Sequence, residues 1–240
     1  MSNSGTLVYN TAVEDFKRAR RTGAMQQMMA RLTGKSADLL AYDDVCQHVK
    51  TSDGVRQGVR EIPLDAIVGS VGRYQDFTRA FWPKNDSDEE RWVRVKTAVN
   101  DMVGMPPIDV YKVGEVYFVI DGNHRVSVAR QLGSDTITAR VTEVHLRVPL
   151  SPEDDPDELI CKARYAEFLE QTNLDVLRPE SNLLLTFCSQ YQLLLDQIEA
   201  HAELLAERGE RVEAATAVAR WYDEVYKPVQ RHIRAQGIMR

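Results

Sequence analysis

From 11 to 49 the apolar residues Val13, Phe16, Met25, Met28, Met29, Leu32, Leu39, Leu40 and Val45 recur mostly every three to four positions. That period predicts helix, with Gly23 and Gly34 expected as interruptions and the methionines as adaptable packing. Ser-Asp-Gly and a second glycine make 51–58 a loop, and 59–68 is the apolar run of a strand. A stretch dense in glycine, arginine and aromatic residues follows over 69–88. Asp86, Ser87, Asp88 and Glu89 then open a helix expected to reach about Met102, with negative charge at the positive end of its dipole. Ile108 to Val113 and Val116 to Ile120 are two strand-like runs across Gly114-Glu115, a hairpin signature. The second run is almost wholly apolar, which predicts a strand covered on both faces. Val126, Val128, Ala129 and Leu132 form a short helix that Gly133 caps, and 137–148 is one more strand.

Beyond the acidic, proline-punctuated 151–157 the pattern is helical throughout. Leu184, Phe187, Tyr191, Leu194, Ile198, His201 and Leu205 make one seam, and Val218, Trp221, Tyr222, Val225, Val229 and Ile233 answer it after Gly209. This predicts an antiparallel helical hairpin over 180–235, with His201 as a packed residue rather than a metal ligand. The same seam permits a homodimer. The chain is therefore expected to be α/β (α+β) in three parts: a helical segment at 1–58, a small α/β domain at 59–150, and a helical domain at 151–240.

The 240 residues, 43% hydrophobic and 28% charged, fit a globular chain, and no run approaches the roughly 18 apolar residues of a membrane span. With no charged region and apolar core at its start, the chain reads as untargeted and cytoplasmic. Cys46, Cys161 and Cys188 have no paired spacing, so buried thiols are expected. The net charge of −6 is uneven: residues 151–240 carry 17 acidic and 10 basic residues, and the remainder is nearly balanced. A broad nucleic-acid footprint is excluded, leaving a local patch at Lys17, Arg18, Arg20, Arg21, Arg31 and Lys35. Its plain alternative is a solvated helix face.

The sharpest feature is Asp121-Gly122-Asn123-His124-Arg125, delivered by the apolar strand to a helix start. Gly122 lets backbone approach a ligand closely, and the first N–H groups of the helix favour an anion. His124 adds a donor, and Arg125 suits bidentate phosphate contact. Asp121 could hold Mg²⁺, orient His124 or act as a base. Alternatively, Asp121 caps the helix and Arg125 pairs with a carboxylate.

The run Ile62-Pro-Leu-Asp-Ala-Ile, the arginine-bearing loop, Pro-Pro-Ile-Asp-Val-Tyr, and Val119-Ile-Asp-Gly-Asn-His-Arg-Val-Ser-Val-Ala-Arg-Gln-Leu-Gly resemble the ParB/sulfiredoxin superfamily over about 59–145. The resemblance implies a small mixed sheet whose glycine–arginine turn binds nucleotide phosphates. Gly122 and Arg125 match the phosphate-binding glycine and final arginine, and Arg73 matches an arginine of the earlier nucleotide-contacting loop. Family activities include CTP hydrolysis, ATP-dependent sulfinic-acid repair and free-serine phosphorylation. Asn123 stands where sulfiredoxins carry cysteine, so sulfinic-acid repair lacks its nucleophile. Partitioning proteins have Glu-Arg at Asn123-His124 and a following helix-turn-helix, which the acidic 151–240 does not offer. The kinase-like branch needs a carboxylate base near the earlier loop, for which Asp65 and Asp76 are the candidates. The leading expectation is a nucleotide site, for ATP or CTP with Mg²⁺, made of Gly122, Asn123, His124, Arg125 and Arg73, with Asp121 and His124 in any catalysis. The alternatives are a DNA-associated regulator touching nucleic acid through Lys17, Arg18, Arg20 and Arg21, and a ParB-like nuclease.

Overall fold

The computed structural model describes residues 2–34, 36–46, 54–100, 105–185 and 187–237. The chain divides into two compact units, Met1–Leu159 and Ile160–Arg240.

In the first unit, helix α1 (Ser2–Thr33) precedes strand β1 (Leu40–Ala41) and the short helix α2 (Tyr42–Cys46). Strands β2 (Val55–Pro63) and β3 (Ile67–Ser70), helix α3 (Glu89–Asn100), strands β4 (Ile108–Val113) and β5 (Val116–Asp121), helix α4 (Asn123–Gln131) and strand β6 (Thr136–Val144) follow. The six strands form one mixed sheet in the order β1-β3-β5-β4-β6-β2. The expected hairpin is β4 and β5, antiparallel, with Lys112 opposite Tyr117 and Gly114 in the left-handed conformation its turn requires. Strand β5 lies inside the sheet, and Val116, Tyr117, Phe118 and Val119 are all buried, whereas Ile120 is exposed.

The expected strand over 59–68 is instead two strands. β2 pairs with β6 at one edge of the sheet, while β3 lies between β1 and β5 towards the other, so no single straight strand can serve both. Pro63, without an N–H, ends β2, and a 3₁₀ turn at Leu64–Ala66 carries the chain across. β6 is also shorter than expected, ending at Val144. Val55 to Gly58 of the expected loop already belong to β2, and Leu40–Ala41, expected in helix, form β1 because they pair with Gly69 and Ser70 of β3. Thr51 of the same loop, and Val49 and Met102, expected helix ends, lie outside the described residues.

Gly23 does not interrupt α1. A Cβ there would lie 3.0 Å from the Cβ of Trp82 and 3.2 Å from the Pro83 carbonyl, so this glycine lets the helix pass close to the loop. Gly34, at φ +69°, follows the helix end as expected. Ala12, Phe16 and Ala19 of α1 pack on Trp92 and Val93 of α3 and Val128 of α4. Met25, Met28, Met29 and Leu32 are exposed rather than packed, because the core contact of α1 ends near Gly23.

The indole N–H of Trp92 donates to the Ser127 hydroxyl at 2.9 Å, and both residues are fully buried. Ser127→Ala would leave that donor without its partner, and chemical denaturation should show a loss of roughly 1–3 kcal/mol. An unchanged midpoint would mean that another acceptor takes the indole.

The main core lies under the sheet and includes Ile62, Leu64, Ile67, Phe77, Phe81, Ile108, Val119 and Val126. Phe77 and Phe81, although they sit in the aromatic-rich loop over 69–88, are thus core residues.

In the second unit, the chain continues from α5 (Pro156–Thr172), which begins in the first, through α6 (Leu174–Leu177) to α7 (Tyr191–Glu207). Helix α8 (Ala214–Trp221), a π turn at Tyr222–Tyr226 and α9 (Lys227–Ala235) complete it. Tyr191, Leu194, Ile198 and Leu205 of the first seam and Val218, Trp221 and Tyr222 of the second are buried as expected, but Val229 is exposed and α9 buries no residue, so the second seam ends before α9. Leu184 and Phe187 are exposed and precede α7, so that seam starts at Tyr191. Pro228 lacks the N–H that would donate back to Glu224, which explains the wider π turn just before it. His201 packs 3.5 Å from the Glu224 carboxylate. Cys46 is buried, Cys161 and Cys188 are half-buried, and none forms a disulfide. Among the described residues no helix is long and apolar enough to cross a membrane.

Candidate functional site

The turn from β5 into α4 is built on Gly122, with φ 118° and ψ 18°, a conformation that disfavours any side chain. The helix it opens makes its first bond from the Val126 N–H to the Gly122 carbonyl at 3.0 Å. The N–H groups of Asn123, His124 and Arg125 therefore precede the first intrahelical bond and carry the positive end of the helix dipole.

Facing this turn is the start of the loop over 69–88. Strand β3 runs parallel to β5, the Val71 N–H donates to the Val119 carbonyl at 2.9 Å, and the Ser70 hydroxyl donates to the same carbonyl at 3.0 Å. The Asn123 side-chain amide donates to the Gly72 carbonyl at 3.2 Å. Arg73 adopts φ +57° and is exposed, with its guanidinium 3.4 Å from Asp76 and 3.5 Å from Asp88. Sheet pairing thus brings Arg73 to the α4 start from fifty residues away in the sequence.

His124 lies between these parts. Its side chain is 4% exposed, its Nε2 is 3.7 Å from Asp88 Oδ1, and its ring meets Phe77 edge-on at 5.2 Å. Neither ring nitrogen has a hydrogen-bond partner, and neither does Asp88 Oδ2 or Asn123 Oδ1. Burial, reinforced by Arg91 and Arg73, pushes the His124 pKa down to about 4, so the imidazole is neutral at physiological pH. Burial, with Asp76 adding, raises the Asp88 carboxyl above the ordinary range against the pull of Arg73, Arg91 and Arg20.

Arg125 is committed elsewhere. Its Nη1 donates to the Pro106 and Pro107 carbonyls at 2.8 and 2.6 Å, and its Nη2 pairs with the Asp121 carboxylate. The guanidinium therefore ties the end of β5 to the chain entering β4, and Asp121 orients Arg125 rather than His124. Asp65 pairs with Arg130 at 3.2 Å, and Asp76 faces Arg73.

Among the described residues no group of three or more His, Cys, Asp or Glu is placed to hold a metal. Asp121, engaged by Arg125, does not complete a protein cage for Mg²⁺. An ion held mainly by phosphate oxygens would need only one or two carboxylates.

Three of the basic residues of α1 have an acidic neighbour. Lys17 lies 3.7 Å from Glu14, Arg18 lies 3.9 Å from Asp15, and Arg20 donates to Asp86 at 2.9 Å. Arg21 and Arg31 are exposed, and Lys35 lies outside the described residues.

Sequence reasoning missed Asp88 and Arg91 as neighbours of the turn. Asp88 reads along the chain as part of a helix start, and the structure does place it in the 3₁₀ turn at Asp86–Asp88 before α3. Only the packing of α3 beside α4 sets its carboxylate against His124.

No curated protein and no solved structure matches this chain. The family description of the ParB N-terminal domain matches residues 49–150, the stretch holding β2 to β6, the arginine loop and the Gly122 turn. The chain therefore carries a ParB-like domain.

Proposed function

We propose that the ParB-like domain binds a nucleotide, with phosphates at the N-terminus of α4 and Arg73 reaching in from the facing loop. The observation that carries this is His124: deeply buried, neutral, at the first turn of α4 and with both ring nitrogens unpaired. A neutral imidazole can donate one hydrogen bond to a phosphate oxygen, next to the unbonded N–H groups of the helix. Asp88 Oδ2 and Asn123 Oδ1 are acceptors without partners at the same place. A nucleotide matches both sets, because its phosphates accept and its hydroxyls and ring amines donate.

Binding is better supported than turnover. A general base works best with a pKa near the operating pH, and a His124 pKa of about 4 is far below it. Phosphate hydrolysis or transfer would draw on the charges of Arg73 and Arg91, with Mg²⁺ carried by the phosphates and Asp121 at the rim. The nucleic-acid reading is less favoured because Glu14, Asp15 and Asp86 already sit beside three of the basic side chains of α1.

Thermal melting of the whole chain with ATP, CTP and GTP, each with and without Mg²⁺, tests this site. At a hundred times the dissociation constant a bound nucleotide adds about 2.7 kcal/mol of stability. Arg73→Ala removes a charge-assisted contact worth roughly 1.5–3 kcal/mol and should weaken binding about tenfold or more. Arg73 is exposed, so its loss leaves the core intact, whereas Arg125→Ala would also cut the ties to Pro106 and Pro107. Absence of a shift with every nucleotide, or equal shifts in Arg73→Ala, would overturn the reading.

A further inference from the structure

Helix α4 has a second end, about 12 Å along its axis from the first. Beside it run two adjoining clefts of about 400 and 600 Å³, which share Gln26, Asp65, Ala80 and Arg130. Arg79 lines the smaller and Trp82 the larger.

The groups here are rich in donors without acceptors. Arg79 donates through Nη2 to the Asp154 carbonyl at 3.2 Å, but its Nη1 is buried with no partner. Arg130 donates through Nη1 to Asp65 at 3.2 Å and through Nη2 to the Leu64 carbonyl at 2.7 Å, while its Nε is buried and unpaired. The Trp82 indole N–H is also buried without an acceptor. Both guanidiniums are half-buried, and the desolvation pushes each below the ordinary arginine range. Asp65 opposes Arg130, the Asp155 carboxylate lies near enough to Arg79 to favour its charge, and Asp135 lines the larger cleft. The Asp65 side chain is 97% exposed, so its ion pair is the weak, solvent-screened kind that a better-placed anion displaces at little cost. Ala37, Ala80 and Pro152 supply apolar wall.

We propose that this groove is a second ligand site, separate from the α4 N-terminus, for a small oxyanion carried on an apolar body. Arg79 and Arg130 would clamp the carboxylate or phosphate, and Ala37, Ala80 and Pro152 would cover the body. The site does not depend on the nucleotide reading, since none of its residues belongs to the Gly122 turn.

Benzoate and phenyl phosphate are suitable probes, titrated calorimetrically into the whole chain at constant ionic strength with chloride as the control. Saturable binding of either is expected, and the stronger of the two identifies the carboxylate or the phosphate as the preferred head group. Ala80→Phe fills the space shared by both clefts and should weaken binding at least tenfold while leaving the melting temperature shift with nucleotide unchanged. Gln26→Trp blocks the same space from α1 and serves where Ala80→Phe does not fold. Arg79→Gln should weaken both probes. Binding no stronger than chloride for both probes, or undiminished binding in a folded groove-filling variant, overturns the proposal.

Discussion

Replacing Gly122 with alanine should cost the ParB-like domain roughly 2–6 kcal/mol, the sum of backbone strain and overpacking at one position. Gly122 holds φ 118°, where a side chain is strained whatever space is available. There is no space either: a Cβ would lie 2.4 Å from Ile108 Cγ2, 2.9 Å from Ile108 Cβ and 3.2 Å from Arg125 Nε. Ile108 is fully buried in the main core and pairs with Ala139 of β6, so it cannot move aside without disturbing the sheet. Most single domains have only about 5–15 kcal/mol in total, so Gly122→Ala should lower the denaturation midpoint steeply or prevent folding. Gly133→Ala is the control, because Gly133 also has a positive φ, +71°, but a Cβ there meets nothing within 4 Å. A smaller loss at Gly133 would separate steric clash from conformation. Equal losses at both positions would show that the Ile108 contact contributes nothing.

The second large effect is a loss of stability in acid that traces to His124. Its pKa is lowered from 6.5 to about 4 in the folded chain, so the unfolded chain takes up this proton more readily. The stabilisation is fully present above pH 6.5, declines as pH falls from there, and is gone below about 4, a swing of about 3 kcal/mol. Arg91 and Arg73 repel the protonated ring, and Asp88 is the acidic group that faces it. Asp88 itself works in the opposite direction, since a carboxyl whose pKa is raised by folding relieves its cost when protonated. The informative quantity is therefore the difference between the wild type and His124→Phe in denaturation midpoints across pH 4 to 7. The wild type should lose stability more steeply than the variant; parallel curves would show that His124 titrates normally.

Much of this arrangement is legible along the chain. The β4–β5 hairpin follows from two β-branched runs across Gly114-Glu115, and the buried character of β5 from its unbroken apolar residues. The break between β5 and α4 is written in Gly122, and the end of α4 in Gly133, whose N–H donates to the Arg130 carbonyl while that of Ser134 donates to the Ala129 carbonyl. These signals are local: they depend on backbone conformation and on neighbours within a few residues. The same locality misleads at Gly23, where glycine signals a helix break but is present for the close approach of Trp82 and Pro83.

What the sequence by itself determined is the mixed α/β character, the β4–β5 hairpin and the position of a glycine turn between a buried strand and a helix. Periodicity and backbone preference encode each of these within a short window. Tertiary structure alone decided which groups share the turn. The parallel pairing of β3 with β5 brings Arg73 to it, and the packing of α3 beside α4 brings Asp88, because contacts across a sheet or between helices leave no periodic trace in the chain. Tertiary structure also decided that Arg125, read from sequence as a phosphate ligand, spends its donors on Pro106, Pro107 and Asp121. An arginine's partner is set by which acceptors the fold places within reach of its long side chain, and those carbonyls reach it only once β4 lies against β5.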